Sequence, residues 1–408
     1  MAKQRFGQFG VKNKSFYYFL SALTIVFADI LGNGNLNLLY FATVLLLLGE
    51  LKVKSVFFKD MVVYYLPFCL VVLLQIVFGK TQVSPIRVFV FAAKIFLCVV
   101  LLSCVKNNFY KIDSIEIAKW IASFFSVFLI IAILTINYPI MWRLNDSFNN
   151  FSKTRLQFFY SEPSVLGLWC GLFIIILLWH LLRKGAQLKI VFPMMVFGIV
   201  LVLTSSMSGI VYTAVGSAVL FFFESFSFPQ KQETRKRAFR ICVLGALIVF
   251  AIVMTVNPIS NRLIAILQGT DGSFNFRWTA AINTFEKIMK STAFWGIGIG
   301  NMNTQDGLAI LNQYGLDYKM ANSFLYFATE NGIWGILYIC HLLAVCLRSC
   351  LKKKDEIFPL KIALWCFAII MQVAGGYFTD PMVWIIYGIV CARSSREQCT
   401  SIKQRVTG

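Results

Sequence analysis

The chain has 408 residues, of which 58% are hydrophobic and 14% are charged, and its mean hydropathy is +0.73. Soluble domains carry about 25% charged residues, so this composition excludes a water-soluble protein. The formal net charge of +20 is distributed over short segments between apolar runs, which indicates membrane topology and argues against nucleic acid as a partner.

The apolar runs predict the architecture. A bilayer core of about 30 Å needs roughly 20 apolar residues for each helical span. About twelve runs reach or approach this length, which predicts an all-α polytopic integral membrane protein with residues 1–408 in a single membrane domain. The predicted spans are residues 16–32, 36–50, 61–79, 86–105, 117–138, 162–182, 189–205, 207–225, 240–258, 321–347, 358–374 and 379–393.

Two long polar connections interrupt this series of spans. The first five helices lie within residues 1–138, and the first long connection follows at 139–161. Helices six to nine lie within 162–258, and the second long connection occupies 259–320. Residues 321–408 hold the last three helices and a polar tail, predicted to be cytoplasmic.

The lysines and arginines predict which side each connection faces. With the amino terminus in the cytoplasm, 27 of the 38 fall on the cytoplasmic side, as the positive-inside bias requires. Both termini are then cytoplasmic, and both long connections lie on the outer face of the membrane. None of the 11 cysteines lies in those connections, so we expect neither disulfides nor a metal site there.

The second long connection contains a predicted amphipathic helix. From Phe274 to Met289 the apolar residues recur at helical spacing, while the polar residues occupy the opposite arc. Arg277 falls at the edge of the apolar arc, so its side chain could reach inward. A helix of this kind lies on the membrane surface or across the ends of the transmembrane helices.

Four ionisable residues fall in the outer halves of predicted spans. They are Asp29, Lys94, Glu162 and Glu330. Charged groups within a membrane are costly and usually functional, so their common depth predicts a polar cavity open to the outer side. The alternative is that the long side chains snorkel to the interface or form local pairs.

Four arginines on the outer connections suit an anionic substrate. Arg143 and Arg155 lie in the first connection, and Arg262 and Arg277 lie in the second. A guanidinium group stays charged and binds phosphate through two parallel hydrogen bonds, so the group suits a lipid diphosphate. Headgroup anchoring or salt bridges with acidic residues of the same loops are the alternative roles.

The two histidines are predicted to lie far from that surface. His180 and His341 each fall near the inner ends of their spans. A general base on the outer face would therefore be a carboxylate, unless the reaction needs little assistance from a base.

Six short motifs follow one another between roughly residues 150 and 340: Arg155–Gly167, Leu203–Gly209, Arg277-Trp278, Phe294–Gly300, Ala321–Leu325 and Glu330–Gly332. Their sequence and order resemble the O-antigen and capsular repeat-unit polymerases (Wzy type) of the O-antigen polymerase/ligase superfamily. Two positions depart from the family pattern: Ala321 stands where related ligases usually carry histidine, and Met207 stands where relatives often carry arginine. We therefore expect no phosphate contact from the turn around Met207.

The resemblance implies polymerisation of undecaprenyl-diphosphate-linked repeat units on the outer face of the bacterial cytoplasmic membrane, by inverting glycosyl transfer without a metal or cofactor. Its implied partners are these lipid-linked oligosaccharides, a chain-length regulator and a flippase. Arg155 and Arg277 would hold the donor diphosphate, and Glu162 or Glu330 would orient or deprotonate the acceptor hydroxyl. The implied substrate-binding residues are Arg143, Arg262, Lys94 and Asn322.

Two other functions remain open at this point. A ligase-type glycan transferase shares the superfamily, and a lipid-linked oligosaccharide flippase or other transporter also has about twelve spans. Transporters usually bind their substrates near the middle of the membrane, between discontinuous helices. The outward position of the charges and the length of the second connection favour a transferase.

Overall fold

The computed structural model consists mainly of helices that run back and forth through one bundle. It describes residues 14–30, 37–43, 54–79, 83–136, 141–144, 154–227, 257–302, 309, 311–313, 315, 320–351 and 356–392. Ten of the twelve predicted spans coincide with helices in these ranges. The predicted span 36–50 is described only in part, as a helix at 38–43, and the span 240–258 lies almost entirely outside the described residues.

The elements follow one another in alternating directions. The first helices are α1 (Lys14–Val26), α2 (Lys54–Asp60), a π-helical segment (Met61–Tyr65), α3 (Leu66–Phe78), α4 (Pro85–Asn108) and α5 (Ser114–Leu134). A hairpin of β1 (Trp142–Leu144) and β2 (Thr154–Leu156) leads to α6 (Pro163–Lys184), α7 (Leu188–Leu203) and α8 (Met207–Ser227). The remaining helices are α9 (Asn257–Leu267), α10 (Gly272–Asn275), a second π-helical segment (Phe276–Ala280), α11 (Ala281–Ser291), α12 (Ser323–Cys350), α13 (Phe358–Ala374) and α14 (Pro381–Val390).

The protein is an all-α polytopic membrane protein. Within the described ranges, six helical stretches are long and apolar enough to cross a membrane. Four shorter apolar helices, among them α13 and α14, pack with them. Two helices make extensive packing contacts within the bundle: α8 packs against α6 and α13, and α14 packs against α4.

One end of the bundle carries both long connections. Helices α1, α5, α7 and α13 end there, and α6, α8, α12 and α14 begin there, so we call it the loop end. The opposite end is fixed by polar contacts between helix termini. Ser114 at the start of α5 bonds His180 near the end of α6, at 2.8 Å between Oγ and Nε2. His180 therefore lies at the end of α6 opposite the loop end, as the sequence predicts.

The first long connection contains two short strands that were not predicted from the sequence. Its two short strands form an antiparallel hairpin in which Arg143 lies directly opposite Arg155. Trp142 anchors the hairpin to α5 by donating its indole N–H to the carbonyl of Ala132, at 2.8 Å. Three-residue strands were not recognisable because they lack the longer alternation that marks a strand.

The second connection contains more helix than was predicted. The amphipathic helix is confirmed: Ala281, Thr284, Ile288 and Met289 are buried, whereas the polar side of α11 is exposed. It continues a helix that starts at Gly272, and its junction is the π-helical segment that carries Arg277. A further helix that was not predicted, α9, occupies the start of this connection and ends at Leu267.

Candidate active site

A cavity of about 500 Å³ lies at the loop end. Its wall is built from segments far apart in sequence, including the turn after α1, strand β1, the starts of α6, α8 and α14, and the π-helical segment of the second connection. It supports the sequence-based prediction of a polar cavity at the end of the bundle that carries the long connections. Among the described residues, two arginines and three carboxylates line it: Arg143, Arg277, Asp29, Glu162 and Asp380.

Arg277 is presented to the cavity by the π-helical segment. A π-helical turn inserts an extra residue into a helix and is frequent at functional sites. Here it lies where α10 passes into α11, and the Arg277 guanidinium hydrogen-bonds the hydroxyl of Tyr212 on α8. Arg143 reaches the same cavity from the hairpin. The two guanidinium groups therefore come from the two long connections and meet at one site.

Asp29 and Glu162 carry local hydrogen bonds. Asp29 Oδ1 accepts from Asn37 Nδ2 at 2.9 Å, and its Oδ2 accepts from the hydroxyl of Ser161 at 2.9 Å. Glu162 is exposed and accepts from the hydroxyl of Ser164 at 2.8 Å. Asp29 lies in the turn after α1, outside the spanning helices, and burial raises its pKa despite these hydrogen bonds.

Asp380 is the third carboxylate and was not singled out from the sequence. It lies immediately before α14 and caps that helix, because its Oδ1 accepts the backbone N–H of Met382 at 2.9 Å. Burial raises the pKa of Asp380 to about 7, and the negative charge of Asp29 adds to the rise. An aspartate followed by proline at the predicted start of a helix is a recognisable N-cap signal that could have marked this position.

Arg155 lies beside the cavity rather than on its described wall. It is buried in β2, and its Nε donates to the carbonyl of Thr204 at 3.0 Å. That bond fixes the serine-rich turn between α7 and α8. Ser208, in the first turn of α8, lines the cavity. The expected absence of a phosphate contact from this segment stays a prediction.

Two other predicted substrate-binding residues lie outside the described cavity wall. Arg262 of α9 pairs with the buried Asp271, at 3.2 Å between Nε and Oδ2, which is the salt bridge considered as an alternative role. Asp271 Oδ1 also accepts the backbone N–H of Phe274, so the pair joins α9 to the start of the Arg277 helix. Lys94 is half-buried on α4 beside Cys98.

Asn322 and Glu330 form hydrogen bonds with backbone groups and do not line the described cavity. Asn322 caps α12, since its Oδ1 accepts the backbone N–H of Leu325 at 3.0 Å and its amide donates to the carbonyl of Val373. Glu330 is fully buried, and its Oε1 accepts the backbone N–H of Met302 at 3.0 Å. The backbone N–H of Gly300 also bonds this carboxylate. These positions favour structural roles for both residues.

The glycine-rich segment after α11 inserts into a break in α12. Gly332 has φ +63°, which interrupts the helix. At this break the carbonyls of Thr329 and Glu330 accept the backbone N–H groups of Ile297 and Gly298, at 3.0 and 2.9 Å. The glycine-rich segment therefore docks against α12 by main-chain hydrogen bonds.

Replacing Gly332 with alanine should unfold this junction. A Cβ atom there would approach the carbonyl oxygen of Phe294 to 2.1 Å, and the positive φ alone costs about 1–3 kcal/mol. We expect a loss of at least 2 kcal/mol in the free energy of unfolding, measured by thermal denaturation in detergent. Gly198→Ala is the matched control, because nothing lies within 4 Å of its Cβ position on α7. Equal melting temperatures for the two variants would contradict the docking.

Potential metal ligands are dispersed. Within the described ranges, no group of three His, Cys, Asp or Glu side chains could hold a metal ion.

Three tyrosines also line the cavity: Tyr40, Tyr212 and Tyr377. They could not be identified from the sequence, because the position of an aromatic residue in an apolar run does not show whether it faces lipid, another helix or a cavity.

The described helices form a membrane bundle with arginines and carboxylates around one cavity, which defines a class of membrane protein with a charged polar site. Comparison with known families narrows this class. Residues 192–340 match the model of the O-antigen ligase family, which confirms the resemblance to the O-antigen polymerase/ligase superfamily. This supports a glycosyltransferase-like bacterial membrane protein in glycan processing. No curated protein matches the chain.

Proposed function

We propose that the protein polymerises undecaprenyl-diphosphate-linked repeat units of a surface polysaccharide on the outer face of the bacterial cytoplasmic membrane. The growing glycan leaves its lipid diphosphate carrier and joins the terminal sugar of a new lipid-linked unit, with inversion at the anomeric carbon. The observation that carries this proposal is the cavity that Arg143 and Arg277 line together with Asp29, Glu162 and Asp380.

The arginines suit the donor side of this reaction. A diphosphate is already a good leaving group, so catalysis needs stabilisation of the charge that develops on it. Arg277 and Arg143 bind the diphosphate, with Ser208 beside them on the wall. Arg155 and Arg262 act indirectly, since each holds an element that presents the cavity: the turn before α8 and the helix of Arg277.

The carboxylates suit the acceptor side. Hydroxyl-rich sugars bind carboxylates through hydrogen bonds, and Glu162, the most exposed of the three, is placed to orient the incoming repeat unit. Lys94, Asn322 and Glu330 are not among the residues that line the described cavity, so in this proposal they do not touch the glycan.

Charge distribution supports the outer orientation of the cavity. The end opposite the loop end carries basic side chains such as Lys106 and Arg183, which bond Asp60 and Glu224. Short basic connections are retained on the cytoplasmic side, so the loop end faces outward. The lipid-linked substrate then reaches the cavity from the outer leaflet.

A ligase-type transfer is the second candidate, because the matching family is described as O-antigen ligase. Ala321 lines the cavity at the position where related ligases usually carry histidine. A methyl group offers no proton acceptor there, which favours the polymerase.

Deletion of the gene tests the proposal. Surface polysaccharide is separated by gel electrophoresis from the deletion strain and from the complemented strain. Loss of polymerase leaves single repeat units at the surface, whereas loss of a ligase leaves lipid-linked polymer, and loss of a flippase traps single units in the inner leaflet. Full-length surface polymer in the deletion strain would refute all three assignments.

A further inference from the structure

We propose that Asp380 is the general base that takes the proton from the attacking hydroxyl of the acceptor sugar. This inference rests on the proposed function and adds to it the identity of the proton acceptor. Neither histidine lies at the loop end, since His180 bonds Ser114 at the opposite end and His341 bonds the carbonyl of Val63. The base therefore belongs to the carboxylates of the cavity.

The hydrogen bonds of the three carboxylates distinguish them. Both oxygens of Asp29 already have protein donors: Oδ1 accepts from Asn37, and Oδ2 accepts from the backbone N–H and the hydroxyl of Ser161. Glu162 is exposed to solvent and accepts from Ser164. Asp380 uses only Oδ1 as the cap of α14, and no described residue donates to its Oδ2. One oxygen thus anchors the carboxylate while the other remains available to a substrate hydroxyl.

The backbone around Asp380 is fixed on both sides. Its N–H donates to the carbonyl of Tyr377 at 3.0 Å, and the indole of Trp384 bonds the carbonyl of Phe378 at 2.8 Å. The hydroxyl of Tyr40 bonds the carbonyl of Thr379. A base held this firmly can keep its oxygen at one position on the wall, which is what proton abstraction in a defined geometry requires.

The surroundings of Asp380 give its carboxyl group a pKa that suits a general base. Burial raises the pKa of Asp380 to about 7, close to the pH at which a base transfers protons most effectively. Asp29, Tyr40 and Cys98 interact electrostatically with Asp380, and Lys94 interacts with Cys98. The other charged or titratable groups that line the same cavity are Arg143, Glu162, Arg277 and Tyr377.

The proton and electron balance is complete without another reactant. The acceptor hydroxyl oxygen forms a bond to the anomeric carbon of the donor as its proton passes to Asp380 Oδ2. The bond between that carbon and the diphosphate oxygen breaks, and the lipid diphosphate leaves with the electron pair beside Arg277. Water then removes the proton from Asp380 before the next transfer.

Asp380→Asn tests the assignment, because asparagine caps helices as well as aspartate but cannot accept the proton. The full chain is reconstituted in nanodiscs with lipid-linked repeat units extracted from the deletion strain. We expect the transfer rate to fall by about 10²–10⁴-fold with an unchanged melting temperature. The wild-type rate should rise about tenfold per pH unit up to about pH 7 and then level off.

Asp113→Asn is the matched control, since Asp113 caps α5 by the same bond, from Ile115 N–H at 3.1 Å, at the opposite end. It should keep the wild-type rate. A rate in Asp380→Asn within tenfold of wild type would overturn the assignment, as would a wild-type rate that is flat from about pH 5 to about pH 8. If Asp380→Asn does not fold, the pH profile decides alone. Failure of the wild-type chain to join these units would instead refute the proposed function.

Discussion

Replacing Arg277 with alanine should abolish polymer while the protein remains in the membrane at its normal level. The guanidinium lies at the cavity, bonded to the hydroxyl of Tyr212, where the proposed diphosphate acquires negative charge. Removing one preorganised donor at such a position costs about 10²–10³ in rate. Chain length on a polysaccharide gel and the amount of single-unit product measure the effect.

Two further variants show whether the effect of Arg277→Ala comes from the lost charge, from the lost guanidinium shape or from general damage to the helix. Arg277→Lys keeps the charge but loses the planar fork, so polymerisation should fall by roughly tenfold rather than be lost. Lys290→Ala changes a cation on the exposed side of the same helical stretch and should leave chain length unchanged. Normal polymer from Arg277→Ala would remove the arginine from the proposed site and leave the diphosphate without its principal partner.

Replacing Glu330 with alanine should disrupt the fold around the glycine-rich segment. The backbone N–H groups of Met302 and Gly300 would lose their acceptor in a fully buried position. Each unsatisfied buried donor costs about 1–3 kcal/mol, so we expect a total loss of about 2–6 kcal/mol in the free energy of unfolding. Thermal denaturation of the purified variant measures the loss.

Glu330→Gln distinguishes this structural role from the catalytic role predicted from the sequence. Glutamine retains a carbonyl oxygen that can accept the same backbone hydrogen bonds, so we expect stability and polymer length close to wild type. A catalytic base would instead lose about 10²–10⁴-fold in rate on this change. Glu286→Ala, on the exposed side of α11, is the control for removal of a negative charge.

Much of the membrane architecture could be predicted because it depends on local sequence. A run of about 20 apolar residues is forced into a helix by the absence of water partners for its backbone, whatever else the chain contains. Helix α11 could also be predicted from local sequence, because its apolar residues recur on one side of the helix and thereby indicate which side is buried. The hairpin and α9 were missed because short elements carry too few residues to show a period.

The candidate site could be predicted only in outline. The sequence indicated that arginines and carboxylates gather at one end of the bundle, and the cavity brings together Arg143, Arg277, Asp29 and Glu162. It could not separate these from Arg155 or Arg262, since an arginine that binds a substrate and one that bonds a neighbouring carbonyl or aspartate look alike in a loop. Their roles depend on partners that the local sequence does not contain.

Hydropathy and charge therefore settle where the chain crosses the membrane and predict which connections lie outside it, because both are properties of neighbouring residues. Packing among distant segments decides which polar groups share the cavity. Asp29 and Asp380 lie together although almost the whole chain separates them, and Glu330 is withdrawn from the cavity by the backbone that it holds. The physical reason is that a cavity wall is made of side chains from several helices, whose mutual positions follow from close packing rather than from the pattern along any one of them.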